Sequence, residues 1–583
     1  MLILLVASIP VAMPAVFSIT MALGALALSK EKAIVSRLAA IEEMAGVDIL
    51  CSDKTGTLTK NQLIVGHPIL VAAKDAQDVV LAGALASKVD DRDAIDSAVI
   101  AALKDANALQ TYRQTDFVPF DPVSKRTQAT VTSADGQSFR VAKGAPQAII
   151  DLAHASAEVT AKVGKDVADL AGRGYRALAV ARSDDGGTTW AVLGILPMFD
   201  PPRDDSRATI EQAESKGVRI KMVTGDDTAI ARETARQLGL GTNIIPAAEI
   251  FPPQMDPDDV PPRIADAIEA ADGFARVFPE HKYAIVKALQ QRGHLVAMTG
   301  DGVNDAPALK QADCGTAVSG ATDAARSAAA LILTAPGLSV INNGIDEARR
   351  IFGRITSYTI YRVALTMDIM VLVVLSTIFL AFQPLTAIMI VIMSLLDDVP
   401  IMTIAYDNTP VPARPIRWHM PHLLGVAAAL GLFSVAQSFG LLLIGMEVLS
   451  HPPQQQYFGL FDHAQLQSVM FLQLVAGGHL LLFVTRTDTW FFLPPHPARP
   501  LLLAIVLTQI LAILMCGLGW LVAAIPWTLI AWIWLYNLAW LFVLGGVRLA
   551  AEILLTGRTA RWLKSAGLVN EPLRPNVRLA GRD

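Results

Sequence analysis

Three short stretches share one composition. Asp53-Lys54-Thr55-Gly56-Thr57-Leu58-Thr59, Thr224-Gly225-Asp226 and Thr299-Gly300-Asp301-Gly302-Val303-Asn304-Asp305 each combine acid, Thr and Gly. Each follows a short run with strand character, over 47–51, 219–223 and 295–298. An acid at the carboxyl end of a strand projects into the crevice where α/β sheets bind ligands. A carboxylate there can attack a phosphoryl group, because an aspartyl-phosphate divides one hard transfer into two easier ones. Further acids beside it suit Mg²⁺, which prefers a few carboxylates together with phosphate and water. Phe278-Pro279-Glu280-His281-Lys282 opens a helix pattern, and Lys282 offers a cation for the charge on a transferred group. One Gly- and Asp-rich turn would be only a turn. Three with matching chemistry point to one site.

The elements that must position these residues alternate. Helix patterns follow the second and third strands at 227–238 and 306–311, as in a doubly wound parallel sheet. Residues 66–198 interrupt that order, mixing helix patterns (76–86, 94–104, 159–172) with strand-like runs (128–132, 177–181, 191–195). This reads as an inserted α+β domain, with 46–65 and 199–350 as the two parts of the domain around it. Phe199-Asp200-Pro201-Pro202-Arg203 is a stiff turn suited to the return crossover. Inside the insertion, Phe120, Lys125, Lys143 with Gly144, and Arg176 suit a nucleotide, the ring for the base and the cations for phosphates. Taken singly, Phe120 would be a core residue and Lys125 or Arg176 a solvated one.

At 583 residues the chain is too long for one core, and 53% hydrophobic against 17% charged is too apolar for a wholly soluble protein. Cys51, Cys314 and Cys516 stand far apart, which speaks against a disulfide framework or a zinc site. The net charge of −5 points to no nucleic-acid partner. Runs long enough to cross a bilayer occur at 2–28 and, in a six-helix bundle over 355–548, near 357–382, 385–405, 422–446, 466–485, 500–524 and 527–547. The first is a poor signal peptide, since it lacks a basic leader and carries Pro10 and Pro14. Lys30, Lys32 and Arg37, then Arg414 and Arg417, Arg486 and Arg499, and Arg548, Arg558, Arg561 and Lys564 fall on one side of this alternation. The loop 447–465 has no Lys or Arg and falls on the other. The expectation is a multi-pass protein of the cell membrane, with residues 30–350 and the tail 549–583 cytoplasmic.

With these motifs in place, the chain resembles the P-type ATPases, ion pumps that form an aspartyl-phosphate from ATP. The likeness rests on 51–59, 143–146, 199–203, 224–226 and 299–308, in the family's order and spacing, and covers nearly the whole chain. It implies a HAD-like phosphorylation domain, an inserted nucleotide-binding domain and an α-helical membrane bundle. By motif position it implies Asp53 as the phosphorylated nucleophile, with Asp53, the Thr55 carbonyl and Asp301 holding Mg²⁺. Thr224, Asp226, Lys282, Asn304 and Asp305 would surround the phosphate. Phe120, Lys125, Lys143, Gly144 and Arg176 would hold ATP.

The membrane residues narrow the resemblance. Pro10-Val11-Ala12-Met13-Pro14, in the expected first span 1–29, puts two prolines where unwound helix can line an ion site. Calcium pumps carry a carboxylate between these prolines and heavy-metal pumps a cysteine. This chain has neither and is similar to the plasma-membrane proton pumps, as are 310–334 and 401–418. Intramembrane acids are functional candidates by their cost. Asp398 matches the acid of the proton-pump pattern, and Asp397 precedes it. Asp368 stands where the plant pumps carry a basic residue, so either transport or helix packing fits it, and His479 reads as a packing or hydrogen-bonding residue. The family's actuator domain, with its Thr-Gly-Glu motif, and its first spans would lie upstream. The chain then reads as a fragment with a misplaced start, or as half of a split pump with the actuator on a separate chain. Two other functions stay open: a pump for another cation such as Mg²⁺, with Asp368, Asp397 and Asp398 as ligands, or a non-transporting nucleotide-binding remnant.

Overall fold

The computed structural model describes residues 12–88, 93–252, 255–451, 459–460 and 462–556. Its contacts divide the chain into two units, one of residues 27–346 with 413–415, the other of 1–26, 347–412 and 416–583.

The first unit holds two sheets. Eight strands form one, in the order Ala33–Val35, Leu331–Leu333, Cys314–Ala317, Val296–Gly300, Ile49–Asp53, Arg219–Val223, Gly273–Ala275, Ile244–Pro246. Its pairs are parallel except at the Ala33–Val35 edge. Ile49–Asp53 lies in the middle, buried over its first four residues, because a parallel strand covered on both faces needs apolar side chains throughout. The strand expected over 47–51 therefore sits two residues later, and Asp53 is its last residue. Register sets Asp53 opposite Val223 and Cys51 opposite Met298, so all three acidic loops leave the same edge of the sheet.

The second sheet is the insertion, antiparallel in the order Ile64–Val65, Ala191–Phe199, Arg176–Ser183, Ser138–Gly144, Arg126–Ser133, Tyr112–Val118, with Ile69–Leu70 also on Ala191–Phe199. Arg126–Ser133 alternates half-buried and buried residues at period two, its inward side chains joining Val79, Val99 and Val180 in a core. The two crossovers are tied together, since Thr59 Oγ1 donates to Asp200 Oδ2 at 2.5 Å and the Gln62 N–H donates to Asp200 Oδ1 at 3.1 Å.

His294 fastens the amino end of the central sheet, with Nδ1 3.0 Å from Asp48 Oδ2 and Nε2 3.2 Å from Glu269 Oε1. The hydrogen bond to Asp48 raises its pKa above the usual 6.5, against the opposing effect of burial. A raised histidine contributes stability that is present below the unfolded value and fades as pH climbs past the folded one. His294→Gln should therefore lower the thermal unfolding midpoint more at pH 6 than at pH 9. An equal loss at both would place the contribution in packing.

The apolar helices lie mostly in the second unit. Among the described residues seven helices are long and apolar enough to cross a membrane: Met13–Lys30, Ser339–Leu380, Ala387–Tyr406, Met420–Ser450, His463–Thr485, Arg499–Leu518 and Trp527–Leu555. Three differ clearly from the expected spans, Trp527–Leu555 running on past 547. Ser339–Leu380 starts well before 357, and Arg499–Leu518 stops at Gly519, whose φ of +74° caps it where the run to 524 was expected to continue. Buried Leu, Ile, Val, Met and Phe from these helices form one core. Close approach is built in at Gly445, where a Cβ would collide with Leu466 Cδ1. Asp407 and Arg486 form a buried pair with its remaining valences filled, Asp407 Oδ1 also accepting from the Ala498 N–H at 3.0 Å.

Candidate phosphoryl-transfer site

The loop after Asp53 is a single turn, Lys54–Leu58, broken by extended Thr55 and by Gly56 at φ +73°. That left-handed conformation is the reason for glycine there. The Asp53 N–H donates to Thr299 Oγ1 at 2.9 Å, fastening the turn to the neighbouring strand end. Thr57 Oγ1 is buried in this turn with no hydrogen-bond partner, a polar atom left open at the site.

Lys282, in the helix Pro279–Gln291, places Nζ 2.7 Å from Asp53 Oδ2 and 2.7 Å from Asp305 Oδ1. Asp305 Oδ2 accepts the N–H groups of Asp301 and Gly302, both at 3.0 Å. Gly300 makes this possible, because a Cβ there would fall 2.5 Å from Asp305 Cβ. One carboxylate oxygen each from Asp53, Asp301 and Asp305 lie within 4.8 Å of one another. Asp305 already has both oxygens engaged, so Asp53 and Asp301 are the acids with capacity for a hard cation, and the donor set fits Mg²⁺.

Electrostatics follow from this crowding. Burial raises the Asp53 pKa, with Lys282 acting the other way. Asp301 is raised by burial and by Asp305. Burial alone would lower Lys282, yet Asp53 and Asp305 carry it above its ordinary value. A cation or phosphate-bound metal between the acids would favour their ionised forms.

Asp226 behaves differently. Burial would raise it, but Lys54 and Arg176 prevail and hold it below the carboxylate range. Lys54 Nζ lies 2.6 Å from Asp226 Oδ2, and Arg176 contacts Oδ1. Thr224 is buried beside it, its Oγ1 accepting the Asp226 N–H at 3.2 Å. Asn304 is exposed on the short turn Val303–Asp305.

The nucleotide residues divide. Phe120, Lys125, Lys143 and Gly144 line one cavity of about 740 Å³. Phe120 is 61% exposed, so it is not a core residue, and it lines the cavity. Lys143 is buried against Asp96 and Ser87. Arg176 is not among the residues lining this cavity and instead reaches Asp226. Sequence reasoning missed Lys54 and Asp96. Lys54 adjoins Asp53 and was open to the same argument, whereas Asp96 lies 47 residues from Lys143 with no local sign of the pairing.

In the apolar unit, Asp398 Oδ1 lies 3.5 Å from Arg362 Nη1. Arg362 lies six positions before Asp368 on the same helix, Ser339–Leu380. Asp368 Oδ2 accepts from Ser438 Oγ at 3.0 Å, and Asp397 faces His479 at 3.5 Å. Pro14 lies in the helix Ala12–Lys30. Pro10 lies outside the described residues.

Comparison with known proteins agrees with this chemistry. Residues 47–313 match the model of the haloacid dehalogenase-like hydrolases. A Methanocaldococcus jannaschii protein, provisionally named a cation-transporting ATPase, is 48% identical over 93% of this chain and 66% of its own length. Plasma membrane ATPases 2 and 1 of Schizosaccharomyces pombe are 44% and 42% identical over 92% of the chain, which covers 54% and 59% of them. The chain thus spans just over half to about two thirds of the length of these curated relatives.

Proposed function

From the premise that this chain belongs to the P-type ATPases, we propose that it is the phosphorylating and ion-carrying part of an ATP-driven proton exporter. The observation that carries the reading is Asp53 at the end of the central strand, bound by Lys282 and flanked by Asp301 and Asp305. An Asp53 oxygen attacks the γ-phosphorus of ATP in line, the bond to the β–γ bridging oxygen breaks, and ADP leaves with that electron pair. Lys282 offsets charge on the transferring group, and Asp305 holds Lys282 in place. Asp53, Asp301 and the Thr55 carbonyl would hold Mg²⁺, which supplies further charge neutralisation at the phosphate oxygens. Lys54 and Arg176 keep Asp226 ionised in the same crevice. Asp398 carries the proton, released as phosphorylation alternates its access, and the catalytic unit lies in the cytoplasm of a cell-membrane protein.

The test is ATP-driven acidification of proteoliposomes carrying the full chain, run beside radiotracer uptake of Mg²⁺ and other cations. Proton uptake supports the reading, while tracer uptake without acidification would transfer it to another cation. The nucleotide cavity gives a second expectation. Phe120→Ala should weaken a fluorescent ATP analogue roughly ten- to a hundredfold, the worth of one lost base stack. Phosphorylation at saturating ATP should persist. Unchanged affinity would place the base elsewhere.

A further inference from the structure

Pro400 stands inside the helix Ala387–Met402. Proline has no N–H, so the carbonyl four residues back, Leu396, loses its ladder partner. A freed carbonyl at membrane depth persists only where neighbouring groups satisfy it again. Here that neighbour is His479, on the helix His463–Thr485, whose Nε2 lies 3.3 Å from the Leu396 oxygen. The proton's position on the ring follows from the next contact. Gln509 Nε2 donates to the Val475 carbonyl at 3.0 Å, which fixes the amide's orientation, and it also contacts His479 Nδ1. An amide nitrogen donates, so Nδ1 accepts and Nε2 carries the hydrogen that meets Leu396. The Asp397 Oδ1 atom, buried and without a hydrogen-bond partner, lies 3.5 Å from that same nitrogen.

We propose that His479 is a positioning residue of the ion path. Its Nε2–H caps the carbonyl that Pro400 opens, and so fixes the turn that aims Asp397 at His479 and Asp398 at Arg362. Gln509 holds the imidazole in the donating tautomer. This rests on the proton-exporter reading for what the acids do, but not for the cap itself.

The test is a double-mutant cycle in the full chain between His479→Leu and Pro400→Ala, with His479→Gln as the conservative variant. Two readouts are taken: the unfolding midpoint in detergent, and the pH profile of ATP-driven proton uptake in proteoliposomes. With Pro400 present, His479→Leu should lower uptake roughly tenfold, the effect of leaving one buried carbonyl unpaired. It should also displace the pH midpoint, and His479→Gln should recover most of both. In the Pro400→Ala background the Leu396 carbonyl regains an N–H, so His479→Leu should cost less than half as much by either readout. Equal losses in both backgrounds would overturn the cap. A cycle that couples in unfolding while the pH profile of His479→Leu stays at the wild-type midpoint would overturn the positioning role. Should the wild-type chain move no protons, the exporter reading fails instead, and coupling in the unfolding midpoint alone decides the cap.

Discussion

Asp53→Asn is expected to abolish acid-stable, hydroxylamine-labile labelling of the chain by γ-labelled ATP, a loss of at least about 10⁴-fold. The amide keeps the size and position of the carboxyl group but cannot form the acyl-phosphate. The fold should survive, because Lys282 keeps its second partner, Asp305, at 2.7 Å, so no buried cation is stranded. Nucleotide affinity should also survive, since Asp53 is not among the residues lining the Phe120 cavity. Lys282→Met makes the contrast. It removes a stabilising charge rather than the nucleophile, so labelling should slow by about 10²–10³-fold yet remain measurable. Adduct persisting in Asp53→Asn would move the phosphorylated residue elsewhere.

The acidic strand ends were legible because the signal is local. An apolar run followed by Thr, Gly and Asp describes a buried parallel strand and its exit loop within a few residues, as at Arg219–Val223 and Thr224. Strands without that contrast escaped. Tyr112–Val118 is an edge strand of mostly exposed polar residues, and neither its composition nor its periodicity marks it. Long-range pairings escaped too. Arg176 lies on the antiparallel sheet and Asp226 in the loop that leaves a strand of the parallel one, so nothing local tells whether the guanidinium reaches a nucleotide or a carboxylate. Arg362 was hidden differently. It occupies a helix whose apolar run suggests only a span, and its meaning appears once the Asp398 carboxylate is found 3.5 Å away.

That pair supports the other large effect. Arg362 and Asp398 have side chains 14% and 22% exposed, so each screens a charge that would otherwise face a largely apolar interior. Removing one partner of such a pair typically costs about 3–5 kcal/mol, whereas removing both can be nearly neutral. Arg362→Ala alone should therefore lower the detergent unfolding midpoint sharply, and Asp398→Asn added to it should restore most of the loss. Proton uptake should follow a different rule. If Asp398 is the proton carrier, Asp398→Asn should reduce uptake at least about a hundredfold, because an amide cannot take up and release the proton. The double variant should be stable and equally inactive, while Asp53 is still labelled by ATP. Stability and transport then separate: the first depends on charge balance, the second on one carboxyl group. Near-normal uptake in Asp398→Asn would shift the carrier role to Asp397 or Asp368, two buried acids of the same unit.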